Sequence, residues 1–258
     1  MRKPRKVFYR HGFTLIELAI VLAILGLLLG GGSMLLQPLL DSNKRTETKA
    51  RLKVIEDALV LSAATNFDLP CPSNPALGPG SAANGNEADP ATVCNIQMAS
   101  GGVPWRTLGL SEVDVLDGWG RRISYAVTGP LTVANALNCP SVGFGQITQG
   151  RLENRGANNV VAGSGAVGTP SPTRAAYVLI SHGENGAGGY LPSGAQTSTA
   201  LASTTELANV KPVGSGNASA VVFYYEKLAA GDAIVGFDDI VRSRTSGQIA
   251  IAYGCNKP

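Results

Sequence analysis

The feature that most constrains this chain is an apolar run close to its N-terminus. Residues 1–12 hold Arg2, Lys3, Arg5, Lys6 and Arg10 and no acid; the chain then reads Phe13-Thr14-Leu15-Ile16-Glu17-Leu18 and stays apolar to Leu36, interrupted only by small residues. A helix over these 24 residues rises roughly 36 Å, enough to cross a bilayer core of about 30 Å with some tilt. Positive charge ahead of the run favours a cytoplasmic N-terminus and export of the chain beyond the run. A cleavable secretory signal has a shorter apolar core with a small-x-small site after it, whereas here Gly30-Gly31-Gly32-Ser33 is followed by more Met-Leu-Leu. A plain anchor fits the length but leaves Glu17 unexplained. A carboxylate inside such a span costs about 2.5–3.5 kcal/mol on insertion scales and marks a functional residue.

Charge follows the same division. The whole chain carries 21 Lys+Arg against 18 Asp+Glu, a net of +3. Five of those cations lie before Phe13, so the remainder holds 16 basic and 18 acidic groups, a net of −2. A nucleic-acid partner suggested by the overall basicity is therefore not expected of the chain beyond Gly12. With 15% charged residues, 32 glycines and 15 prolines, a coiled coil, a charged disordered tail and an all-helical bundle are excluded.

The motif Gly12-Phe13-Thr14-Leu15-Ile16-Glu17, with its basic leader and apolar run, resembles the N-terminal signal of type IV pilins and of the pseudopilins of type II secretion. The resemblance implies that a prepilin peptidase cuts between Gly12 and Phe13 and methylates the new Phe13 amine. Glu17 would then neutralise the Phe13 amine of a neighbouring subunit, giving the buried carboxylate a partner. It further implies storage in the inner membrane with the head in the periplasm, an assembly ATPase and platform, and a filament of other pilin or pseudopilin subunits. The long head suggests a minor subunit. An adhesive tip module that binds a ligand through 73–91 and 183–216 is the alternative, and a membrane-tethered periplasmic enzyme a more distant one.

The expected fold is α+β, one long helix followed by a Gly/Pro-rich, mostly antiparallel β head. The expected divisions are a leader at 1–12, a helix at 13–65 whose first part, 13–36, spans the membrane, and a head at 66–258. Pro38 and the three glycines before it suggest a kink, a break or a soft segment. Leu52, Ile55, Leu59 and Ala63 follow helical spacing and should face the head, while the charges from Lys44 to Lys53 read as a solvated face rather than a lipid contact. Ser73–Ala91 reads as a long exposed loop. Strands are expected at Ile123–Val127, Ala175–Ile180, Ala220–Tyr225 and Gln248–Tyr253, with no helical crossover between them.

Two head segments echo the major pseudopilin. Asp117-Gly118-Trp119-Gly120-Arg121-Arg122-Ile123-Ser124-Tyr125 is similar to that family's Asp-Pro-Trp-Gly-x-x-Tyr turn and strand, with Gly118 where proline is usual. Ser181-His182-Gly183-Glu184-Asn185-Gly186 and the later Phe237-Asp238-Asp239-Ile240 are similar to its glycine-rich loop and terminal Asp-Ile element. In many major pseudopilins that loop binds calcium, so the resemblance nominates Asp117, Glu184, Asn185, Asp238 and Asp239 as oxygen ligands; apart from this the sequence points to no cofactor. Here Glu184-Asn185 replaces the usual Asp-Gly.

Export makes disulfides permissible. Cys71, Cys94, Cys139 and Cys255 allow three pairings; Cys71–Cys94 would close the Gly/Pro-rich loop and Cys139–Cys255 would tie back the C-terminus, which is the preferred set. No Cys-x-x-Cys spacing supports zinc. Gly163–Gly168 matches the dinucleotide fingerprint literally, but Pro170 and Pro172 prevent the helix that must follow. Ser181 and His182 face opposite sides of a strand and make no dyad. No catalysis is expected, and Trp105, Trp119 and Tyr125 read as packing residues.

Overall fold

The computed structural model describes residues 14–88, 94, 98–138, 150–156, 161–162, 174–200, 204–210, 214–215, 223–226 and 237–254; side chains are described for these except at 27–39, 154–156, 161–162, 204–205, 214–215 and 223–226. The chain divides into two compact units, Met1–Asn43 and Lys44–Pro258. Helix α1, Leu15–Asn66, runs through both without interruption, including the Gly30–Pro38 stretch.

In the first unit Leu15, Ile16, Leu18, Ile20, Val21, Leu22, Ile24 and Leu25 are all exposed. Among the described residues no helix is long and apolar enough to cross a membrane. Of the span expected over 13–36, side chains are described only at 14–26.

The second unit is built on a five-stranded antiparallel sheet of β1 (Met98–Gly102), β2 (Ser124–Thr128), β5 (Ala175–Ser181), β6 (Gly214–Ser215) and β8 (Ile240–Thr245), in the order β6-β1-β2-β5-β8. Side chains alternate between faces along a strand, and the two cores follow that rule. Tyr125, Val127, Tyr177 and Leu179 pack with Leu52, Ile55, Leu59 and Ala63 of α1, and Ala126, Val178 and Ile180 pack on the far side with Met98, Leu152 and Val241. Every residue of β5 is buried, as a strand with a neighbour on each edge and a layer on each face must be. The apolar stripe of α1 therefore covers the sheet, as its spacing implies. Arg244 of β8 reaches Glu56 of α1 at 3.3 Å and fastens the same contact.

A second, smaller sheet has β3 (Glu153–Gly156) between β4 (Val161–Ala162) and β7 (Phe223–Glu226). Its β3–β7 pair is parallel, the one parallel pairing among the described strands, in keeping with a mostly antiparallel head. Of the strand expected over Ala220–Tyr225, residues 223–225 lie in β7 and 220–222 are outside the described residues, and the strand expected over Gln248–Tyr253 does not form. That segment is helix α3, Ser246–Ala252, entered through a capping box in which Thr245 and Gln248 each satisfy the other's backbone N–H. Ile249 and Ala250 are buried against α1 and β5 from this helix.

The exposed loop expected over 73–91 is only partly exposed. Cys71 and Cys94 are joined by a disulfide, with Cα atoms 6.0 Å apart. Ser73 exchanges backbone hydrogen bonds with Gly102 at 2.9 Å, and Gly85 turns in the left-handed region (φ 77°) under the Trp105 ring. Cys139 and Cys255 lie outside the described residues.

The turn after Leu116 is fixed to α1. Thr48, fully buried, accepts the Gly118 N–H on its Oγ1 at 2.9 Å, and Arg51 donates to the Leu116 carbonyl at 2.9 Å.

Candidate functional site

Gly12 and Phe13 lie outside the described residues, and the described part of the N-terminal motif begins at Thr14. The Glu17 N–H donates to Thr14 Oγ1 at 3.3 Å, while Glu17 Oε2 accepts from the Thr14 N–H at 3.2 Å and from its hydroxyl at 3.1 Å. This reciprocal pair satisfies donors that the first helical turn leaves open, and the carboxylate lies where the helix dipole favours it. Thr-x-x-Glu ahead of an apolar run is a capping signature visible in the sequence. Glu17 thus has a partner within its own chain while standing among exposed apolar side chains.

The head holds a second cluster of chemistry-bearing groups. Glu206, from the single-turn helix α2 (Thr204–Leu207), meets Asp238 and Asp239 ahead of β8, and one carboxylate oxygen of each lies within 4.8 Å of the others. Glu206 and Asp239 are buried. Asn185 ties the cluster to the loop after β5: its N–H donates to Asp238 Oδ2 at 2.7 Å and its Nδ2 to Glu206 Oε1 at 3.0 Å. The Asp238 N–H donates to the same Glu206 oxygen at 3.1 Å, and Asn209 Nδ2 donates to Asp239 Oδ2 at 2.6 Å. Gly183 makes the close approach possible. Its φ is 57°, and a Cβ would fall 2.6 Å from the Asp238 carbonyl carbon.

Burial pushes Asp239 up to about 8, the Asn209 amide draws it down, and the Glu206 and Asp238 carboxylates push it up again. Burial likewise raises Asp238, with the Asn185 N–H opposing and Glu206 adding to the rise. The cause is general: buried like charges cannot all ionise without a proton or a cation among them.

Of the five nominated ligands, the structure brings Asn185, Asp238 and Asp239 together and leaves two out. Asp117 is buried and used elsewhere: Oδ1 accepts the N–H groups of Trp119 and Arg121, both at 2.9 Å, and Oδ2 accepts the Ser181 hydroxyl at 2.9 Å. Glu184 is exposed, and its carbonyl faces Arg121. Glu206 is not among the residues that the sequence nominates. Its one signal is that it is the lone acid between Glu184 and Glu226.

His182 does not pair with Ser181. Its Nε2 lies 2.9 Å from Ser124 Oγ on β2. Burial and the Arg121 charge lower it to about 4, with Glu206 opposing, so the ring is neutral at neutral pH. Nδ1 has no hydrogen-bond partner among the described residues. A serine–histidine pair needs a group at that nitrogen to orient the ring and stabilise its charged form, and none stands there among the described residues.

Residues 8–33 match the family described as the prokaryotic N-terminal methylation motif. No curated protein and no solved structure matches the chain. The similarity is confined to the segment whose cap is described above, and there the chain carries the signal of type IV pilins and pseudopilins.

Proposed function

We propose that this chain is a subunit, of the minor kind, of a type IV pilus or of a type II secretion pseudopilus. The observation that carries the reading is the match over residues 8–33, with the complete Gly12–Glu17 motif inside it. A prepilin peptidase removes Met1–Gly12, and the anchored subunit waits in the inner membrane until the assembly platform adds it to a filament. Glu17 gives up its cap on Thr14 when the Phe13 amine of a neighbour becomes available, exchanging a dipolar partner for a charged one. Mass spectrometry of the protein from its native membrane should show a chain beginning at N-methylated Phe13. An intact leader would overturn the reading. Glu17→Ala should be processed normally yet be lost from filaments, and equal incorporation of the variant would remove Glu17 from assembly.

We also propose that Glu206, Asp238 and Asp239, positioned by Asn185, hold a calcium ion. The oxygen-only donor set suits a hard cation, and the raised Asp238 and Asp239 are what carboxylates awaiting such a charge would show. The ion would supply charge compensation and clamp the loop after β5 to the start of β8. Calcium at about a hundred times its Kd should stabilise the fold by about 2.7 kcal/mol. Calorimetric titration should register binding that Glu206→Gln abolishes, and a heat-free titration of the wild type would sink the assignment.

A further inference from the structure

We propose that Lys44, Arg45 and Trp119 form a contact surface for the headgroups of anionic phospholipids, used while the subunit is anchored and before it is assembled. The inference rests on the anchored-subunit reading above. It reverses the sequence-based view of the 44–53 charges as a merely solvated face, and Trp119 is the reason.

Lys44 is the first residue of the second unit, so these groups lie where the chain enters it. Between Asp41 and Lys53 there are five cations, Lys44, Arg45, Lys49, Arg51 and Lys53, against two acids, Asp41 and Glu47. Arg51 is bound to Glu47, and Lys53 is 2.5 Å from Asp57. Lys44 is exposed. Arg45 stands over the Trp119 ring, its guanidinium carbon 5.7 Å from the ring centroid, and Arg121 approaches the same ring at 5.8 Å. Trp119 is half-buried.

The position of the indole is built into the fold. Gly118 lies against the Lys44 backbone and bonds Thr48, and Asp117 fixes the backbone of both Trp119 and Arg121. A tryptophan held beside basic side chains combines an amphipathic ring with cations, the pairing favoured at the interface between water and lipid.

Sequence separation selects the members of the patch. Lys44 and Arg45 follow Leu36, the last residue of the apolar run, by eight and nine residues, whereas Arg51 and Lys53 follow it by fifteen and seventeen. Along the chain the first two are therefore nearer to the end of the apolar run, and headgroup charge is screened within about 8 Å at physiological salt. The sign is also specific. Beyond Gly12 the chain is net −2, so an anionic surface would repel the subunit as a whole and attract this corner of it.

The test uses the processed full-length protein in lipid nanodiscs, with a nitroxide on the lipid headgroup as quencher. Trp119 fluorescence is read as the difference between wild type and Trp119→Phe, so that Trp105 cancels. Quenching should be about twofold stronger in discs containing phosphatidylglycerol than in phosphatidylcholine alone, and the difference should vanish at high salt and in Lys44→Gln/Arg45→Gln. Insertion with quenching indifferent to lipid charge overturns this inference and leaves the anchored reading intact. Failure to enter either disc overturns both. If Trp119 responds only when filaments form, the patch belongs to a second copy of the chain and the lipid assignment falls.

Discussion

Gly118 shows how a single residue couples distant parts of this molecule. Its φ is not in the left-handed region, so backbone freedom is not the reason for glycine. Space is: a Cβ would lie 2.7 Å from Lys44 Cα and 2.8 Å from Lys44 C, and neither backbone atom can move without displacing the helix. Gly118→Ala should cost about 1–3 kcal/mol as an overpacking defect, which for a head of this size is a fall in Tm of roughly 3–10 °C. Gly80, where an added Cβ would meet nothing within 4 Å and φ is not positive, is the control: Gly80→Ala should stay within about 0.5 kcal/mol. Equal melting of the two variants would show that the turn is not pressed against α1. In the sequence Gly118 stands out only as a departure from the proline of a similar turn, because the residue that obstructs a side chain there is in another element. Asp117 misleads for the same reason. A carboxylate beside glycines reads as a ligand until its acceptors are seen to be filled by Trp119, Arg121 and Ser181.

Among the elements, legibility followed how local the determining signal is. The α1 stripe and strands β2 and β5 were readable because apolar period and burial coincide there; β8 was not, since Arg242, Ser243 and Arg244 interrupt its apolar pattern. The segment Ile249-Ala250-Ile251 looks like a strand by residue type, and the Thr245/Gln248 capping box that makes it a helix carries little weight unless its partners are known to close. The carboxylate cluster was partly legible: Asp238 and Asp239 adjoin in sequence, while Glu206 arrives from a separate turn of helix. The closed loop after α1 shows a further non-local effect. Glu87 accepts the Cys71 N–H at 3.0 Å; burial first, and then the Glu87 charge, push Asp68 up to about 6. Because the folded value exceeds the unfolded one, near 3.8, the folded state holds the extra proton. The stability Asp68 contributes is complete below about pH 4 and is lost as pH rises through 6. In thermal melts across pH 4–7, wild type should lose stability relative to Asp68→Asn as pH increases; a constant difference would contradict the assignment.

At the scale of the whole molecule, charge separates the functions of the two ends. The first unit offers an exposed apolar helix and a single acid near its start, and the second carries the sheets, the disulfide and the carboxylate cluster. On the proposed reading the five leader cations hold the N-terminus on the cytoplasmic side and leave with the peptide. Cleavage after Gly12 therefore moves the chain from +3 to −2 at pH 7, and methylation of Phe13 leaves the amine charged, so it adds nothing to the change. The processed protein should focus on the acidic side of neutrality and bind an anion exchanger, whereas a chain retaining its leader should bind a cation exchanger. Cleavage elsewhere gives a different answer, because a cut after Arg5 or Lys6 would retain part of the leader charge. A processed form that still focuses as a base would exclude Gly12–Phe13 as the scissile bond, independently of any mass measurement. The same arithmetic bears on the proposed Lys44–Arg45–Trp119 contact: without the leader these cations stand on a subunit whose net charge is negative, so an attraction to anionic headgroups would have to come from this corner rather than from the chain as a whole.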